Sequence, residues 1–107
     1  MLTILYNSAE NLLLCKFSGR LDTIACASLN EEVENNLLKL KKGNPGFIDA
    51  KIVFDLSEVN YIASSFIRIC VNTAKQSLPG NFSIVNCEPF IKKTFKIAGL
   101  DEILGII

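Results

Sequence analysis

Residues 51–70 read KIVFDLSEVNYIASSFIRIC, and their reading decides the fold. The first residues, with Ala50 before them, form a continuous apolar run with β-branched content, AKIVFDL. Such a run suits a central strand covered on both faces. The last residues open a helical pattern, SSFIRICVNTAKQSL. There Phe66, Ile69, Cys70 and Thr73 line one stripe, and Ile67, Val71, Ala74 and Leu78 widen it. Pro79 and Gly80 stop it. A strand therefore runs into a helix, and Ser64 and Ser65 stand at the junction. In open α/β sheets that carboxyl edge is where ligands bind. The helix start adds free N–H groups and a partial positive charge, which favour an anion.

The serines have two readings. Serine is a preferred N-cap, so the pair can simply start the helix. Alternatively, a phosphate on Ser65 would be tolerated there and would add about −1.5 to −2 charges. A partner fitted to the neutral surface would then be repelled. Asp55, near the end of the apolar run, has a similar pair of readings: an Asx-type turn at the strand end, or a contact to a cation or a phosphate-bearing partner.

Upstream, LTILY and NLLLCKFSG read as two strands around a polar turn at residues 7–11, with Gly19 expected to break the second. RLDTIACASLNEEVENNLLKLKKGNPG reads as a helix. Asp22 or Thr23 caps its start, and Leu29, Val33, Leu37 and Leu40 recur at helical spacing. Glu31, Glu32, Glu34 and Asn35 fall largely on the other face. Lys41 and Lys42 close its last turn, and Gly43 and Pro45 stop it. Downstream, NFSIVNC is a short strand, and EPFIKKTFKIAG is a helix with Pro89 in its first turn. Its expected buried side is Phe90, Ile91, Thr94, Phe95 and Ala98. LDEILGII is a terminal turn or short strand, with Asp101 and Glu102 capping the last turn. The order β-β-α-β-α-β-α predicts a mostly parallel or mixed sheet with crossover helices.

The 107 residues fit one domain, residues 1–107, and half of them are apolar. Eleven basic and eleven acidic residues give a net charge of zero, which argues against a nucleic-acid binder. The cluster of Lys39, Lys41 and Lys42 complements a helix end. There is no histidine, which excludes a Ser-His-Asp triad, a Cys-His pair and His-ligated metal. Cys15, Cys26, Cys70 and Cys87 show no CxxC spacing and have apolar neighbours, so they read as small buried hydrophobes in a reducing compartment. No run approaches the roughly 20 apolar residues of a membrane helix, and no signal peptide is visible. The expectation is a cytoplasmic protein without metal, cofactor, nucleic-acid partner or membrane insertion.

Three segments resemble the STAS domain family, above all the bacterial anti-sigma factor antagonists. FSGRLDTIACASLNEEV is similar to that family's strand, Gly-x-Leu-Asp turn and first helix. IVFDLSEVNYIASSFIRIC is similar to its central strand, its Asp-Ser-Ser-Gly motif and second helix. FSIVNCEPFIKKTFKIAGLDEIL is similar to its late strand and short helix ending in Gly-Leu-Asp. The resemblance implies a STAS-like fold: a mixed, mainly parallel sheet of four or five strands with three or four packed helices. It implies a protein partner, an anti-sigma factor that is also a serine kinase, and a phosphatase that resets the switch. It implies phosphorylation of Ser65, with Ser64 as the second choice, and a contact surface of Asp22, Thr23, Ser64, Ser65, Phe66 and Arg68. Two positions depart from the motif: Ala63 stands where the family has an acid, and Phe66 where it has glycine. Phe66 is either a core residue or an apolar contact for a partner.

Two other functions fit the residues. One is a STAS subunit of a signalling or transporter assembly that is never phosphorylated, which Ala63 and Phe66 favour. The other is a small enzyme with Ser65 as nucleophile. It lacks a histidine base, and Lys51 and Lys75 read as ordinary solvated lysines while Tyr61 reads as a packing residue. The expectation is a binding module and no enzyme.

Overall fold

A computed structural model describes residues 2–41 and 48–107. The elements are β1 (Leu2–Asn7), β2 (Leu12–Leu21), α1 (Thr23–Lys41), β3 (Lys51–Ile62), α2 (Ser64–Gln76), β4 (Phe82–Val85) and α3 (Pro89–Ile97). They form one four-stranded sheet in the order β1-β2-β3-β4. β1 pairs antiparallel with β2, while β2–β3 and β3–β4 are parallel. This is the mixed, mainly parallel α/β architecture that the order of elements predicts. The expected stop of α1 at Gly43 and Pro45, with Lys42, lies outside the described residues.

β3 is longer than its apolar run. It continues through SEVNYI to Ile62 because its pairing with β2 is re-phased twice. Opposite Phe17 stand two residues, Leu56 and Ser57; between the pairs Gly19–Val59 and Arg20–Tyr61, Asn60 is extra. Each extra residue is a bulge that bends and twists the strand without ending it. Gly19 lies at the second irregularity with φ +87°, a left-handed conformation that side chains disfavour. Gly19 was expected to break β2; instead β2 runs through it to Leu21.

Nor is β3 covered equally on both faces. Ile52, Phe54 and Leu56 are buried, whereas Val53 and Asp55 are only half-buried. The crossovers through α1 and α2 step along the sheet in one direction. Right-handed connections then place both helices on the same face. The opposite face carries Leu5, Leu14 and Val53 in register across three strands, and Leu5 is exposed.

The core lies between the sheet and the helices. Phe17 meets Phe54 and Phe66 at ring separations of 4.9 and 5.0 Å, and Phe54 meets Phe82 at 4.9 Å, all edge-to-face. In α1, Leu29, Val33 and Leu37 of the predicted stripe are buried, Leu40 is half-buried and Cys26 joins the buried side; in α2, Phe66, Ile69, Cys70 and Thr73 bury the predicted stripe. Helix α3 differs from expectation: Ile91 and Phe95 are buried, but Thr94 is only half-buried, Ala98 is exposed and Phe90 is 68% exposed. Ile91 and Phe95, four apart, already point at the core, and Phe90 sits about 100° round the helix. After α3, Ile106 makes a single parallel bridge to Ile84. Asp101 and Glu102 accept the bonds of this last turn through backbone carbonyls, from Ile106 and Gly105.

Candidate functional site

Two strand-to-helix junctions lie side by side at the carboxyl edge of the sheet. The Ala63 N–H donates to the Leu21 carbonyl at 2.9 Å and ties them together. At the first junction Asp22 is the cap: its Oδ1 accepts from the Ala25 N–H at 2.9 Å, and its carbonyl accepts from the Cys26 N–H at 2.9 Å. Thr23 is the first helical residue. Arg20, paired across the sheet with Tyr61, lays its guanidinium 3.9 Å from the centre of that ring. Its Nε is 3.9 Å from Asp22 Oδ2, with both side chains largely open to solvent, so that ion pair is weak.

The second junction is built differently. The residue in the capping position is Ala63, extended at φ −92° and ψ 167°, with no side chain to offer. Ser64 and Ser65 are the first two residues of α2, so neither is its cap. The reading of the serines as an N-cap is corrected here: Ala63 occupies that place because the Leu21 bond holds its N–H in sheet geometry. Ser64 is exposed. Ser65 Oγ has less than 1 Å² of accessible area and no hydrogen-bond partner. The N–H groups at the start of α2 therefore receive no side-chain cap.

A cavity of about 220 Å³ lies between the two helices, lined by Thr23, Cys26, Ala27 and Asn30 of α1 and by Ser65, Arg68, Ile69 and Asn72 of α2. Arg68 is its one charged residue, and no carboxylate faces it. Of the residues singled out from sequence, Thr23, Ser65 and Arg68 meet here. Asp22 and Ser64 precede Thr23 and Ser65 in the chain, one at each junction. Phe66 does not contribute: it is 0% exposed and lies against Phe17, so its side chain is core and not contact surface. Sequence reasoning missed Asn30 and Asn72. Each lies seven residues, about two helical turns, beyond Thr23 and Ser65, so the helical period itself marks them.

Asp55 lies within β3, one residue before the first bulge. Its Oδ1 accepts from the Ser57 N–H at 2.9 Å and from Asn86 Nδ2 at 3.3 Å. Burial alone would raise its pKa, but the bonds from Ser57 and Asn86 and the nearby Lys16 charge outweigh it and hold the carboxyl below its usual range. The Asx-type bond is present, though it closes a bulge and not a strand end. All four cysteines are free thiols. Burial pushes Cys15 up to about 12, with Glu32 adding to it, and Cys87 to about 11; Cys70 is also raised by burial. These three thiols are therefore neutral and poorly nucleophilic at pH 7. Among the described residues, no group of three metal-ligating side chains gathers and no helix is long and apolar enough to cross a membrane.

The STAS domain family model matches residues 4–107. No curated protein sequence matches the chain. Among solved structures, a Thermotoga maritima protein named as a candidate anti-sigma factor antagonist superimposes with a TM-score of 0.79 at 21% identity, over 99% of this chain and 85% of that one. An anti-sigma factor antagonist from Mycobacterium paratuberculosis gives 0.75 at 20% identity, over 99% and 85%. The Bacillus cell-fate determinant SpoIIAA in its phosphorylated form gives 0.68 at 14% identity, over 100% and 91%. At these identities the structures share a fold with this chain. Together with the family match along nearly its whole length, they place it: the chain belongs to the STAS domain family.

Proposed function

We propose that the chain is an anti-sigma factor antagonist. It binds a protein partner, an anti-sigma factor with serine-kinase activity, through the edge formed by Asp22, Thr23, Ser64, Ser65 and Arg68. The observation that carries this reading is the uncapped start of α2, where Ser64 is exposed and Ser65 Oγ has no partner. A phosphate on either serine would find free N–H groups in the first turn. It would also add about −1.5 to −2 charges to an edge whose cavity holds a single cation. A partner fitted to the neutral edge would lose its contacts, and a phosphatase would restore them. Ser65 holds the acceptor position of the family motif, and its buried Oγ requires the first turn of α2 to loosen before transfer. Ser64 needs no such opening. SpoIIAA supports the idea of a switch within one fold: its unphosphorylated and phosphorylated forms both superimpose on this chain with a TM-score of 0.68.

A second reading, a STAS subunit that is never phosphorylated, is favoured by Ala63 in the capping position and by the burial of Ser65 Oγ. Intact mass and phosphopeptide mapping of the protein from its own cells separate the two. The proposal expects one phosphate on the serine pair and loss of the partner in Ser65→Asp. A chain that stays unmodified under every growth condition, and after incubation with the candidate kinase and ATP, establishes the second reading.

A further inference from the structure

We propose that the outer face of α3 is a docking surface for anionic lipid headgroups, distinct from the serine edge. The helix spends Ile91 and Phe95 on the core. Its outward side keeps Phe90 at 68% and Ile97 at 77% exposure. Lys93 stands between them, three residues from one and four from the other, so all three share a face. Lys96 and then Lys92 follow round the helix on one side of that face, and with Pro89, Lys93 and Ile97 they line a shallow depression. From Pro89 to Ile97 there are three lysines and no carboxylate, although the whole chain is neutral.

Charge and pattern together select the occupant. The nearby acids are Glu88 before the helix and Asp101 and Glu102 after it; the last two share a second depression with Lys92. None of the three lysines is held in an ion pair among the described residues. A protein interface needs a dry apolar centre and is depleted in lysine there. Here a lysine occupies the centre. A lipid surface accepts that mixture: the aromatic and aliphatic side chains enter the headgroup boundary, and the lysines snorkel to the phosphates. The surface binds at the membrane and does not cross it.

Co-sedimentation with vesicles tests this. The full chain is mixed with phosphatidylcholine vesicles, with and without phosphatidylglycerol. We expect it to pellet only with phosphatidylglycerol, and to be released at about 0.5 M salt, where the screening length falls to a few ångströms. Reversing the charges (Lys92→Glu, Lys93→Glu, Lys96→Glu) should lower partitioning about a hundredfold or more. The pair Phe90→Ser and Ile97→Ser should also weaken it, with the far-ultraviolet circular dichroism unchanged; the gentler Lys→Gln set serves if the charge reversals unfold the chain. A wild-type chain that stays in the supernatant with phosphatidylglycerol overturns the proposal, as does a lysine variant that pellets as well as wild type. If vesicles fail and the same lysine variants lose a protein partner, the face belongs to an acidic protein segment instead.

Discussion

The two junctions at the carboxyl edge share a backbone plan, and what sets them apart is the side chain in the capping position. Leu21–Asp22–Thr23 and Ile62–Ala63–Ser64 each turn a strand into a helix, and one hydrogen bond joins them. Asp22 closes its helix with its own carboxylate. Ala63 cannot, and the start of α2 is left with free donors, an exposed hydroxyl and a buried hydroxyl without a partner. A capped helix start is finished structure. An uncapped one beside a cavity holds unspent hydrogen-bonding capacity that a partner or a phosphate can use.

Several variants can break or sharpen that contrast. The largest effect concerns what anchors the open junction. Phe66→Ala should cost about 3–5 kcal/mol in urea unfolding, since a fully buried ring in an aromatic cluster is removed. A cost below about 1 kcal/mol would mean that Phe66 is not core. Next, Asp22→Ala should lower stability by about 1 kcal/mol as the cap is lost, whereas Ala63→Asp should raise it by a similar amount, because the backbone at Ala63 already has capping geometry. Opposite signs in thermal melts sustain the asymmetry; equal signs remove it.

Ser65→Ala should be neutral or stabilising by up to about 1 kcal/mol, because it deletes a buried hydroxyl that makes no bond. Ser64→Ala, on the surface, should stay within about 0.5 kcal/mol. A marked loss in Ser65→Ala would reveal a partner for its hydroxyl. A further small effect is at Asp55, away from the junctions. Its folded carboxyl is held below the ordinary range, so it stabilises the fold above the unfolded pKa and that contribution fades as pH falls through the folded value. Asp55→Asn should therefore be less stable than wild type at pH 7 by under about 1 kcal/mol, the carboxylate being largely solvated. The difference should close in urea titrations in strong acid; a gap that persists there would put the effect in shape and not in charge.

The order of elements was legible because its signals are local. Phe66, Ile69, Cys70 and Thr73 repeat at helical spacing, Pro89 marks a first turn, and Asp22 is a capping residue before a periodic run. The second half of β3 was not legible. SEVNYI alternates only briefly, from Glu58 to Tyr61, and is strand because β2 pairs with it through two bulges. Gly19 read as a breaker for the same reason, since a glycine at a bulge and a glycine at a strand end look alike until the partner strand is known. Asn30 and Asn72 went unnoticed because a surface asparagine means little until a second helix stands opposite it.

By itself the sequence determined the fold class, the free thiols and the presence of two serines where a strand gives way to a helix. Periodicity, punctuation and residue chemistry are written into neighbouring positions, so these need no distant contact. Only the tertiary structure decided what each serine is. The Ala63–Leu21 bond makes Ala63 the cap position, turns Ser64 outward and leaves the Ser65 hydroxyl buried, while packing against Phe17 commits Phe66 to the core. Those outcomes depend on residues far apart in the chain, Ala63 with Leu21 and Phe66 with Phe17, meeting in the fold, and no local pattern encodes such a meeting.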